Sequence, residues 1–168
     1  MTESEWLTCN NHIDMIRFVA SRVSGRKLRG FAAACCHRQK SLFQDQKPCY
    51  WQAVEMARRY AKGHATLEDL SKIYDVCDND AQYEREPVAF YVQNAALHVA
   101  WRLVLGEPDH TVQPDVFAAE TTPVCILDAM YRLEMRKGTN VAALQICDVE
   151  HAAQLALLHE IIGNPFRS

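Results

Sequence analysis

The 168-residue chain holds only six glycines, and they are scattered. A phosphate-cradling loop needs several glycines close together, so neither a Walker loop nor a GxGxxG turn is present. HExxH and GxSxG are missing as well. No window approaches 18 uninterrupted apolar residues, which argues against a membrane span. The opening Met1-Thr2-Glu3-Ser4-Glu5-Trp6 lacks the basic and apolar stretches of a secretory signal. There is no low-complexity tract, no repeat of solenoid length and no linker, so residues 1–168 read as a single domain.

Cysteine is present, with seven residues, but no two form a CxxC pair. An odd number of thiols, set mostly within apolar helical patterns, does not describe a disulfide scaffold. The expectation is reduced thiols in a cytoplasmic protein, with Cys35 and Cys36 buried as small hydrophobes.

Strand signals are also absent. No run alternates at period 2, and no Asn-Gly or Asp-Gly turn occurs. Helical punctuation recurs instead. Pro48 and Gly63 bracket a helix on which Tyr50, Ala53, Val54, Ala57 and Tyr60 recur at 3–4 spacing. Thr66 and Asp69 resemble a capping box for the next helix. Pro87 opens an apolar helix that Gly106 would end, and which is expected to be central because it is apolar nearly all round. Residues 107–121 read as a connection, Thr122-Pro123 as the start of a helix running to Gly138, and Asp148 as the cap of the last helix, ending at Gly163. Residues 141–147 could form a short strand. The fold expected is an all-α single bundle of about six or seven helices.

Between Met15 and Lys40 there is no acidic residue, while Arg17, Arg22, Arg26, Lys27, Arg29, Arg38 and Lys40 are all basic. The chain carries −3 in total, so the remainder carries −10 against this segment's +7. Such a block can dock an acidic protein or a nucleic acid. Arg22, Arg26, Lys27 and Arg29 are the candidate contacts. The plain alternative is internal neutralisation by the acids of residues 68–86. Cys35-Cys36-His37 holds metal-ligating types, but neighbours on a helix diverge by about 100° and cannot easily converge on one ion. No metal and no cofactor is expected. Asn94, His98 and Arg102 form an i, i+4, i+8 polar stripe on the most apolar helix. They read either as a pocket with His98 as acid/base, or as a solvent-facing edge. Gly163-Asn164-Pro165-Phe166 reads as a helix stop that returns Phe166 to the bundle, or as a short peptide that a partner recognises.

These motifs favour a non-enzymatic helical module that binds another protein. Nucleic-acid or phosphate binding through residues 15–40 is the first alternative, and an enzyme with a polar pocket around His98 the second. The segments Thr2-Glu3-Ser4-Glu5-Trp6-Leu7-Thr8-Cys9, Arg26-Lys27-Leu28-Arg29-Gly30-Phe31-Ala32-Ala33-Ala34-Cys35-Cys36 and Gly163-Asn164-Pro165-Phe166-Arg167 resemble the T-E-x-E-W-L-x-C, R-K-L-R-x-F-A-x-A-C-C and G-N-P-F-R motifs of a paralogue-rich family of planctomycete bacterial proteins. The resemblance implies a bacterial, cytoplasmic setting and no particular catalysis.

Overall fold

A computed structural model describes residues 1–81, 86–101, 113–138 and 140–166. They form α1 (Glu3–Thr8), α2 (His12–Val19), α3 (Gly25–Arg38), a 3₁₀ turn (Lys40–Phe43), α4 (Pro48–Ala61), α5 (Leu67–Ala81), α6 (Pro87–Ala100), α7 (Pro114–Met135) and α8 (Asn140–Ile162). The all-helical class matches the sequence, with eight α-helices among the described residues in place of six or seven.

Several helix boundaries follow local chemistry. Thr2 and Glu5 form a full capping box for α1. Thr66 and Asp69 do the same before α5, with Thr66 N donating to Asp69 Oδ2 at 2.8 Å and Asp69 N to Thr66 Oγ1 at 3.2 Å. Pro48 and Pro87 open their helices. Gly63 and Gly163 take positive φ just past helix ends, the left-handed stop that a side chain disfavours.

Three boundaries differ from expectation. α6 stops at Ala100, because Trp101 turns to φ −56°, ψ 141°. α7 begins at Pro114 and runs through Pro123 instead of starting there. Ala118, Ala119, Thr122 and Ile126 are all fully buried on it, and that packing overrides the missing N–H. α8 begins at Asn140, so residues 141–147 are helical, not a strand, and Asp148 lies inside the helix.

Two apolar cores share α3. Trp6, Met15, Ile16, Val19, Leu28, Phe31, Cys35, Leu158 and Ile162 build one. Ala32, Ala33 and Cys36 face the other, with Tyr50, Val54, Leu70, Val92, Ala96 and Ile126. α6 is central to that second core, as its composition implies. α8 is long and apolar enough, by length and composition alone, to cross a membrane. Its inward face nevertheless carries the buried polar residues Glu150 and Gln154, which bond to α3 and α7.

Candidate functional site

Burial in both cores leaves α3 one free face. That face carries Arg26, Lys27, Gly30, Ala34 and His37, which meet Arg58 and Ala61 of α4, the Lys62 that caps it, and Ile161 of α8 around a groove of about 360 Å³. The helices run in opposite directions here. Arg26 Nη1 donates to Tyr60 O at 2.6 Å, and His37 Nε2 lies 3.0 Å from Glu55 Oε1 further along. Gly30, Ala34 and Ala61 form a floor of backbone and methyl groups. Four permanent cations stand around it, and no acid lines it.

The cations are not equally occupied. Arg26 also rests on the Tyr60 ring, 4.5 Å from its centroid. Arg58 donates to Glu55 from Nε at 3.0 Å. The Lys27 and Lys62 side chains have no partner among the described residues, and both are exposed. His37 is held below the usual imidazole range, mainly by burial; Glu55 opposes that shift, and the charges of Arg58, Lys40 and Lys62 add to it. Beyond His37, Trp51 lies edge-on to its ring at 4.8 Å, and Lys40 Nζ sits 5.1 Å from the Trp51 centroid.

The other candidates are placed differently. Arg29 is not a surface contact, because its side chain is fully buried. Its Nε donates to Asp115 Oδ1 at 2.7 Å, and its Nη1 donates to Val99 O at 2.8 Å and Trp101 O at 2.9 Å. It thus holds the carbonyls that the end of α6 leaves without helical donors. Arg17 pairs with Glu120 at 2.8 Å, and Arg38 grips the buried Glu150 through two bonds of 3.2 Å. These three cations therefore find carboxylates on α7 and α8, not among the acids of 68–86 proposed from sequence. Arg22 lies over Phe18, its guanidinium carbon 4.2 Å from the centroid.

On α6, Asn94 Nδ2 donates to Phe90 O one turn back at 2.8 Å. His98 Nδ1 is 3.6 Å from Cys125 Sγ, and its ring meets Phe117 edge-on at 5.0 Å. Arg102 lies outside the described residues, as does Arg167. Burial lowers His98 to about 4 and raises Cys125 to about 12. The pair is a neutral thiol beside a neutral imidazole at pH 7, not a thiolate–imidazolium dyad.

Phe166 stacks on Phe18 at 5.4 Å with 21° between the rings. Asn164 holds the turn, accepting from Phe166 N at 2.9 Å and donating to Glu3 Oε1 at 2.6 Å. The first and last helices are thereby joined. Cys35 and Cys36 are fully buried, and desolvation raises both thiols. Among the described residues, no group of three or more His, Cys, Asp or Glu could hold a metal ion.

The charge run of residues 15–40 marks Arg26 and Lys27 but not the contribution of α4. Arg58 and Lys62 stand one turn apart at the edge of the apolar stripe of α4, Arg58 one turn beyond Val54, a spacing the sequence carries. No family model matches the chain, and neither does any curated protein or solved structure.

Proposed function

We propose that this protein is a non-enzymatic helical interaction module that binds an acidic segment of another protein in the α3–α4 groove. The observation that carries the reading is the groove lining, with four cations on its rim, no acid among its lining residues, and Lys27 and Lys62 left without a partner among the described residues. Cations left facing one another repel, and an anionic partner relieves that repulsion. The His98–Cys125 contact supports the non-enzymatic part, since neither group is poised to exchange a proton near neutral pH. The bacterial, cytoplasmic setting implied by the family resemblance is part of the same proposal.

The nucleic-acid reading draws on Lys40 and Trp51 beyond His37, where an aromatic face could stack a base. One experiment separates the two. Binding of poly-L-glutamate and of single-stranded oligonucleotides is measured by fluorescence anisotropy across a salt series. The proposal expects polyglutamate to bind more tightly, and Lys27→Glu/Lys62→Glu to abolish the binding. A tighter oligonucleotide complex with a steep salt slope would reverse the ranking.

A further inference from the structure

We infer that the occupant of the groove is an acidic amphipathic helix of about three turns, supplied by another protein; this rests on reading the groove as a protein-docking surface. Three observations select that chemistry. The first is the floor. A Cβ built on Gly30 would lie 3.3 Å from Ala61 Cβ, so α3 and α4 approach closely and offer only small groups upward. With Ala34 and Ile161, they leave an apolar trough between two helices. Ridges of a third helix fit such a trough, with axes about 8–10 Å apart.

The second is backbone accounting. The described residues contain no strand, so there is no sheet edge to pair with an extended peptide. An extended segment laid on Gly30, Ala34, Ala61 and Ile161 would lose water from its N–H and C=O groups and find few partners there. A helix satisfies those groups internally and presents only side chains. The third is the rim. Lys27 and Lys62, whose ammonium groups have no partner among the described residues, flank the apolar floor and match carboxylates that flank an apolar stripe, while Arg58 is already held by Glu55. No Phe, Tyr or Trp lines the groove, so a nucleic acid would find no stacking surface within it. The length follows from α3, where Arg26 to His37 spans about 16 Å, or roughly three turns of a partner helix.

A display library of random peptides of about 16 residues, enough for four turns, tests this directly. The library is panned against the full chain, and enriched peptides are measured against the parent, Lys27→Glu/Lys62→Glu and Ala34→Leu, each checked for folding by circular dichroism. The expected peptides carry Asp or Glu beside apolar residues at 3–4 spacing and gain helicity when bound. They should lose roughly tenfold or more in affinity to either variant, one removing charge complementarity and the other filling the floor. Enriched peptides that are acidic but stay extended would overturn the helix and leave the docking groove standing. Peptides that bind both variants as well as the parent, or no enrichment at all, would overturn the inference. The polyglutamate comparison reads the broader proposal separately.

Discussion

Arg29 joins three pieces of chain with one guanidinium. Removing it leaves the buried Val99 carbonyl, the half-buried Trp101 carbonyl and the Asp115 carboxylate without this donor. Arg29→Met should therefore lower unfolding free energy by about 3–5 kcal/mol, read from the urea midpoint. His98 carries the clearest pH signature. Its folded value of about 4 lies below the ordinary 6.5, so the unfolded chain takes up a proton first as pH falls. Its contribution is complete above about pH 6.5 and drains away down to pH 4, by up to about 3 kcal/mol. His12, also lowered by burial, acts in the same direction. Melting temperature followed from pH 7 to 4 should fall less steeply in His98→Gln than in the parent. Equal slopes would mean that the histidine is not desolvated as described.

α1 has six residues, too few to be stable as an isolated helix. It is held by Trp6, which is fully buried and meets His159 edge-on at 5.3 Å. Trp6→Ala should cost about 3–5 kcal/mol and release α1, seen as rapid hydrogen exchange over residues 3–8. Phe166→Ala should cost less, about 1 kcal/mol, because that ring is 37% exposed and its main contact is the stack on Phe18. Helices with strong local signals were legible, as Pro48–Ala61 and Leu67–Ala81 were from a proline, a capping box and an apolar stripe. α7 was not, because Pro123 is a stronger local stop than any signal at Pro114, and only burial against α3 and α6 overrides it. The groove was half legible. A charge run marks Arg26 and Lys27, and helical spacing puts Arg29 on the face of Ala32, Ala33 and Cys36, but a charge run counts it with its neighbours, and nothing within α3 tells that α4 supplies the opposite wall.

The molecule has two cores, and α3 and α7 each place buried residues in both. Cys35 belongs to the first and Cys36 to the second, so adjacent thiols report on different halves. If α3 and α7 make the halves a single cooperative unit, labelling both thiols requires the same opening. With a thiol reagent at rising urea, the two should react with one common dependence, well after the partly exposed Cys9 and Cys147. Separate transitions would divide the bundle into independent units. Charge is divided in a similar way. Arg17, Arg29 and Arg38 are neutralised by α7 and α8, which leaves Lys27 and Lys62 to present a net positive face on a chain of net −3.

Gly25 packs so tightly on Asp115 that a Cβ there would collide with Oδ2 and lie 2.8 Å from Cγ. Asp115 in turn is held by Arg29. The three positions are therefore epistatic. A side chain at Gly25 needs a shorter residue at 115, and a shorter residue at 115 strands the buried cation at 29. Each single change leads downhill in stability, and relief for a shorter residue at 115 comes only when position 29 changes with it, while a side chain at 25 needs both. For a lineage exploring one substitution at a time, this trio is a valley to be crossed, so Asp115 and Arg29 are expected to persist or be replaced together, and Gly25 to change only after them.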